Sequence, residues 1–375
     1  MSSVKDRVSV QLIINGVELK TDQSPIDYIH ISESCRHYVP VLTFVIQDKS
    51  KFLTKNKILV DGSVIKLIIQ IDKQKLDYSF RTFSVKESLA SGGTSYKVSA
   101  YFNIPKFWLQ TVTKGTKGSV SDVLKDIALE TGLRYEGVTT VENQLWLPLN
   151  KKYCEYARYI SERGLIDDSS CLQLVVSILG NLRYINISTA FKEFAILDKL
   201  SNLPDASKEF KIISDYKVIN SSGFFNNLGG YNDTRVSQSI LSDGQALKDL
   251  SVTKNTKNLD MSETIKSNVS QGKITFSPID VGNTSVTYEQ SLYQNRRLSN
   301  LFSSGIELVT PKYINSQVLD IIYADLSKPG VSTVDAISGK YVITSKVLYI
   351  EGLNFFQKLE LFRHGNNSQQ QLGLV

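Results

Sequence analysis

The sequence predicts a β-rich α+β chain, with β-rich stretches at both ends, an α+β insert between them and a second insert rich in loops. Three observations carry this. Val8, Val10 and Leu12 alternate with polar residues, and similar period-2 runs recur with turn signals between them through the first hundred residues. Helical spacing replaces them after Pro105. Strand patterns then dominate the last seventy residues.

In the first hundred residues, Asn15-Gly16 between Ile14 and Val17 is a strong hairpin signal. Further strands are expected at Tyr28–Ser32, Val41–Gln47, Ser63–Ile71, Tyr78–Lys86 and Ser95–Phe102, punctuated by Asp61-Gly62 and Gly92-Gly93. About seven strands in this length suggest a small barrel or sandwich. Ser119 is placed to cap a helix with apolar Val120, Val123, Leu124, Ile127 and Ala128, which Gly132 stops. Tyr153, Tyr156, Ala157 and Ile160 mark a second helix, with Gly164 after it. Strands Leu172–Ile178 and Leu182–Ile187 flank a Gly180-Asn181 turn.

Glu209–Ile219 reads as one strand. Residues 220–286 are rich in Ser, Asn, Thr and Gly, with weak periodicity, and 241–286 reads as a peripheral insert. Thr287-Tyr288-Glu289-Gln290 fits a capping box for a helix carrying Leu292, Leu298, Leu301 and Phe302, ended by Gly305. Val318–Tyr323, Tyr341–Ile350 and Phe355–Phe362 are the closing strands.

With 375 residues, two or three domains are expected. The 41% apolar fraction supports packed cores. The net charge of +6 divides into about +4 over 1–104, about +1 each over 105–200 and 201–302, and about zero over 303–375. No segment has the dense basic stripe of a nucleic-acid reader. Cys35, Cys154 and Cys171 form no C-x-x-C and read as reduced, buried thiols of a cytosolic chain. The polar start Met1–Arg7 is followed by no signal-peptide core, and Val8–Ile14 is too short to span a bilayer. The Asn186 and Asn283 sequons then read as chance matches in a Ser/Asn-rich chain.

Three histidines, His30, His37 and His364, leave little for His-based catalysis or zinc. There is no phosphate-loop, nucleophile-elbow or zincin motif. Ser251-Val252-Thr253-Lys254 matches S-x-x-K without its partner motifs and reads as a polar loop. Asp167-Asp168 reads as solvated loop acids, although a carboxylate pair distant in sequence leaves no spacing signature. His30, Cys35 and His37 fall short of a closed tetrahedral metal site and read as ordinary packing. Arg296-Arg297 reads as a solvated face, with a bridge to a neighbouring subunit as the alternative. Trp108 and Trp146 lie in apolar contexts and read as core. The expectation is therefore no catalytic, cofactor or metal residues, and no enzyme.

Three stretches resemble the hub proteins of contractile phage baseplates, a family that includes late-control protein D and the N-terminal part of type VI secretion VgrG spikes. The first is Gly118–Leu133, a helix followed by Thr131-Gly132-Leu133. The second is Tyr288–Phe302, similar to the helix before the return to a second barrel. The third is Gly339–Arg363, similar to the closing hairpin; the family's histidine there is Tyr349 or Ile350 in this chain, depending on register. The order of elements along the chain also resembles the family.

The resemblance implies two tube-forming β-barrel domains, at 1–104 and at 205–240 plus 303–365. An α+β insert at 105–204, a loop-rich insert ending in a helix at 241–302 and a C-terminal tail at 366–375 complete the chain. Three copies would close a pseudo-sixfold ring, a homotrimer joining a sixfold tail-tube protein above to a threefold spike protein below. Neighbouring baseplate proteins would surround it, and DNA would pass through without specific binding or membrane insertion. The expected location is the virion, in the phage tail baseplate, after assembly in the host cytoplasm. The spike is expected to be a separate chain, with Leu372, Leu374 and Val375 as docking anchors at most. The alternatives are a carbohydrate- or receptor-binding tail module built on the 18 Tyr and 2 Trp, a type VI secretion spike hub, and a tail-associated cell-wall hydrolase, for which no catalytic signature appears.

Overall fold

The computed structural model describes residues 8–19, 25–37, 39–90, 93–167, 170–193, 195–203, 209–220, 234–238, 248–252, 304–326, 337–352 and 354–363. The first unit holds seven strands: β1 (Val8–Ile14), β2 (Val17–Leu19), β3 (Ile26–Ser34), β4 (Val41–Asp48), β5 (Val64–Ile71), β6 (Gln74–Ala90) and β7 (Gly93–Phe102). A short helix α1 (Phe52–Asn56) lies between β4 and β5. Asn15 and Gly16 adopt φ +48° and +83°, as a two-residue hairpin requires, and Ile14 pairs with Val17. The alternation then places Leu12, Ile14, Leu42, Phe44, Ile65, Leu67, Ile69, Phe80 and Val98 in one core. Each such side chain contributes roughly 1.5–3 kcal/mol by leaving water.

The middle of the chain is a separate layer. It holds α2 (Pro105–Leu109), β8 (Thr116–Gly118), α3 (Val120–Thr131), β9 (Arg134–Gly137), β10 (Gln144–Trp146), α4 (Tyr153–Ser161), β11 (Leu172–Val176), β12 (Asn181–Asn186) and α5 (Ile187–Glu193). Ser119 and Asp122 form the capping box of α3, and Gly132 closes it in the left-handed region at φ +79°. The expected apolar stripes of α3 and α4 pack with β12 around Trp146, Tyr156 and Tyr184.

The remaining elements are β13 (Lys199–Ser201), β14 (Phe210–Ile212), β15 (Asp215–Asn220), the isolated hairpin β16 (Thr234–Gln238) and β17 (Lys248–Val252), β18 (Ser304–Thr310), β19 (Ile321–Asp325), β20 (Gly339–Glu351) and β21 (Asn354–Arg363). The large sheet runs β14-β13-β19-β20-β3-β4-β7-β6-β5-β1-β2, and β15-β18-β21 branch from β20. A second core under β18–β21 gathers Ile306, Leu308, Ile321, Ile322, Tyr341, Val342, Leu359 and Leu361.

Three details depart from the sequence reading. Glu209–Ile219 is two strands, not one: Phe210–Ile212 pairs with β13, and Asp215–Asn220 with β18. The break lies at Ile213-Ser214, where the Ile213 N–H turns to Ser201 and the Ser214 N–H to Val309. Gly305 ends no helix; it lies inside β18, opposite Phe362. A Cβ there would stand 2.6 Å from Phe362 Cε1, so the glycine admits the ring. Val318 and Leu319 precede β19 instead of opening it, because Gln317 and Asp320 form a turn. The expected helix at 287–302 and, apart from β17, the expected insert at 241–286 lie outside the described residues.

Gly305→Ala should lower stability by about 1–3 kcal/mol, the range for forcing a methyl group into a filled core. A calorimetric scan that shows no drop in Tm would mean that Phe362 has another place to go.

Candidate functional site

The point where the β-rich ends join is the most chemically loaded place among the described residues. β20 is thirteen residues long and belongs to both cores. Tyr341, Val342 and Ile343 enter the second core, while Leu348 and Ile350 enter the first. Between them the β20–β21 register shifts at Ile343/Ser345. Past this bulge, β20 pairs antiparallel with β3, from Ser345 opposite Ser34 to Glu351 opposite Tyr28.

Within this seam Lys346 lies directly opposite Glu33, and both side chains face inward, 7% and 4% exposed. Glu33 Oε1 accepts the Ile178 N–H at 2.6 Å. Lys346 Nζ donates to the Ile314 carbonyl at 2.7 Å and the Ser316 carbonyl at 3.0 Å, and it sits 5.1 Å from the centre of the Tyr313 ring. Burial raises the Glu33 pKa, against the pull of Lys346. Burial lowers that of Lys346, against Glu33, Asp198 and Asp320. A cavity of about 20 Å³ lies between them, lined also by Ile31, Tyr78, Ile178, Tyr313 and Leu348.

The loop from Tyr313 to Asp320 receives the rest of the charge. Asp198 accepts from Ser316 N at 2.9 Å and Ser316 Oγ at 2.6 Å, and pairs with Lys211. Arg183, 2% exposed, bonds Asp320 at 2.7 Å, Glu136 at 2.9 Å and the Val318 carbonyl. Gln357 Oε1 accepts the Ile314 N–H at 2.6 Å. Burial pushes the Asp198 carboxyl upward, but its bonds from Lys211 and Ser316 together outweigh that and hold it below its usual value.

The opposite face of the seam carries an aromatic row among scattered charges of both signs. Across β20, β3, β4 and β7 its positions are Val347, Tyr349 and Glu351; Tyr28, His30 and Ser32; Val41, Thr43, Val45 and Gln47; and Ser95, Lys97, Ser99 and Tyr101. Glu351 and Lys97 are charged, Asp27 at the β3 bulge accepts from Gln47 Nε2 at 2.7 Å, and the same face continues onto Lys358 and Glu360 of β21 and Lys86 of β6. Tyr28, His30, Tyr349 and Phe356 form an aromatic row, with ring centres 4.4, 4.3 and 4.8 Å apart in sequence. Burial lowers the His30 pKa, which keeps the imidazole neutral at pH 7.

The residues singled out from sequence do not converge. His30 lies in that aromatic row, whereas His37 lies beyond the end of β3, in a groove of about 440 Å³ with Arg36, Tyr101, Trp108, Lys152 and Cys154. Cys35 is only half-buried, unlike Cys154 and Cys171, and none of the three is in a disulfide. Burial pushes the Cys35 thiol up to about 11. Trp146 is fully buried, but Trp108 is half-buried on the groove wall. Asp167 is exposed, and Asp168, Lys254, Arg296, Arg297 and His364 lie outside the described residues. Ser251 falls in β17. Among the described residues no three His, Cys, Asp or Glu side chains gather as a metal site, and no helix is long and apolar enough to cross a membrane.

No protein-family model matches this sequence, and no curated protein matches it. Solved structures do. The fold is similar to a tail protein from Neisseria meningitidis MC58, with TM-score 0.59 and 10% identity over 97% of this chain and 99% of that one. It is similar to the 43 kDa tail protein of prophage MuSo2 from Shewanella oneidensis, with TM-score 0.61 and 11% identity over 95% and 98%. A chain of the Francisella PdpA–VgrG complex matches at TM-score 0.50 and 11% identity, over 96% of this chain and 53% of that one. The chain therefore has a tail-protein fold along nearly its whole length.

Lys346→Met should destabilise by about 1–3 kcal/mol, because it leaves the buried Ile314 and Ser316 carbonyls without their donor, and Glu33→Leu by a similar amount, because it leaves the Ile178 N–H without its acceptor. The double variant should lose clearly less than the two losses added. Urea midpoints at pH 7 check this, and simple additivity would mean that the pair is not coupled.

Asp198→Asn should lower stability by about 1–3 kcal/mol at pH 7. The folded-state pKa of Asp198 lies below its unfolded value. Its contribution is therefore present above the unfolded value of about 3.9 and is lost as the pH falls through the folded one. The gap between parent and variant in urea unfolding should narrow with acid; a gap that widens would reverse the assignment.

Proposed function

We propose that this chain is a structural tail protein, the central hub of a baseplate, and that three copies close a ring with an open centre. The single observation that carries the reading is the seam: one unbroken sheet crosses from the first β-rich end to the second through β3 and β20. In the proposed ring each end is one tube-forming barrel, 1–104 and 205–240 with 303–365. The seam is the contact between neighbouring barrels within a chain. Contacts of the same kind between chains would use the outer edges of β2, β14 and β15, which have no further ladder partner among the described residues. Closure then uses up edges that would otherwise recruit strands without limit. A duplicated barrel lets a trimer meet a sixfold tube on one side and a threefold spike on the other.

The outward face of the seam, an aromatic row among charges of both signs, is assigned to the channel. A passing duplex needs a wall without clustered Lys and Arg, since each neutralised phosphate would add to a salt-sensitive grip. On this reading the chain works by shape and symmetry, with no catalytic residues, cofactor or metal, and its place is the virion. Its partners are a tube protein, a spike protein and neighbouring baseplate proteins. The likeness to a chain of the PdpA–VgrG complex favours a second reading, the hub of a secretion spike, with the same ring.

Light scattering on the purified protein, alone and mixed with tail-tube protein, is expected to give a trimer mass in at least one condition. Particles should image as threefold rings with a central hole. A chain that stays monomeric in both conditions, well above micromolar concentration, overturns the reading.

A further inference from the structure

The stretch from Thr140 to Asn150 alternates like a strand, but with its polarity inverted. Glu142, Gln144, Trp146 and Pro148 point inward and are buried. Val141, Leu145, Leu147 and Leu149 point outward and are 67%, 52%, 40% and 55% exposed. Hydrogen bonds hold this register. Glu142 accepts from the Val120 N–H at the start of α3, from Thr140 Oγ1 at 2.7 Å and from Leu165 N at 2.8 Å. Trp146 Nε1 donates to the Gly118 carbonyl at 2.9 Å, and Tyr156 donates to the Trp146 carbonyl at 3.1 Å. A one-residue slip would bury the leucines only by breaking all of these.

Leu149 adds a second, independent observation. Leu149 and Asn150 adopt φ +48° and +60°, and the Lys151 N–H closes onto the Pro148 carbonyl at 2.9 Å. This is a tight turn of the primed kind, whose first central position suits Asn, Asp or Gly. A leucine there strains its backbone, and with its side chain in water it gains little packing in return. A bulky apolar group held outward against local preference points to a contact outside this chain.

The surroundings state the chemistry of that contact. Leu145 lies opposite Lys117 in the β8–β10 ladder, and Leu147 lies over Gly115. Lys114, exposed, precedes the same strand, β8, and Glu142, the acid nearest to the leucines in sequence, is buried and turned inward. We propose that this leucine ladder docks a protein segment of acidic amphipathic character. Its apolar side chains would cover Leu145, Leu147 and Leu149, and its carboxylates would meet Lys117 and Lys114. A second copy presenting the same face would set lysines against lysines. A bilayer would leave the backbone groups along the outer edges of this two-stranded ribbon unsatisfied, which a protein segment need not. The inference is independent of ring formation.

The test uses the purified full chain and two fluorescent synthetic peptides, one alternating Leu and Glu, the other alternating Leu and Lys. The acidic peptide is expected to bind saturably and more weakly with rising salt, and the basic one not to bind. Leu145→Ser with Leu147→Ser should weaken acidic-peptide binding by about tenfold or more, equivalent to ~1.4 kcal/mol. Leu149→Asn should also weaken binding, while leaving Tm unchanged or raising it by roughly 2–4 °C, the shift expected of ~1 kcal/mol in a large domain. Equal binding of both peptides, or a double variant that binds like the parent, overturns the proposal. A fall in Tm for Leu149→Asn would place Leu149 in internal packing and overturn it too. So would self-association, or binding to anionic phosphatidylserine vesicles, that the double variant abolishes, because the ladder would then have a different occupant.

Discussion

Everything at the junction depends on burying Lys346. An ammonium group taken out of water is tolerated only when its donors are met by well-placed acceptors. Here they are met by the Ile314 and Ser316 carbonyls, with Glu33 directly across the strand ladder. Those carbonyls belong to a loop with no regular structure of its own. The loop is held from its other sides by Asp198, Arg183 and Gln357. One buried cation thus fixes a loop that three further side chains also fix. Each holds the loop through its own partners, so losing one loosens the loop without unpairing the rest.

That arrangement explains why β20 can serve two cores. An ordinary strand sends alternate residues to one core along its whole length. At the bulge after Ile343 the register shifts, and a run of six residues, Tyr341 to Lys346, is buried. A strand buried in this way needs polar partners for its polar side chains. Thr344 finds one in the Glu360 carbonyl, and Lys346 finds them in the loop. The seam is therefore a continuous hydrogen-bonded ladder and not a loop joining two β units. A continuous ladder suits a proposed ring, in which small angular errors at each contact would accumulate and prevent closure.

The two faces of the seam divide the work. Inward, ionic and hydrogen-bonded groups are sealed among Ile31, Ile178 and Leu348. Outward, hydroxyls and an aromatic row lie among scattered charges of both signs. His30 belongs to the outward row and stays neutral because of its burial there, so it adds no positive charge at pH 7. The α+β insert presents a different surface, with exposed leucines among lysines, and so separates a contact function from the sheet.

The sequence by itself determined the local elements. Asn15-Gly16 made a hairpin, Ser119 and Gly132 bounded a helix, and period-2 alternation marked most long strands, because each of these signals acts over a few residues. It also showed that catalytic motifs were lacking. The leucine ladder was present as plain alternation at Leu145, Leu147 and Leu149, but the inward choice of Trp146 over its neighbours rests on Gly118 and Tyr156. Only the tertiary structure decided the junction. Glu33 and Lys346 are 313 positions apart, and Arg183 and Asp320 are 137 apart. No spacing rule reaches so far, and in sequence each reads as one more surface charge. Gly305 was misread for the same reason: its neighbour Phe362 comes from a strand that folding, not the chain's order, brings beside it.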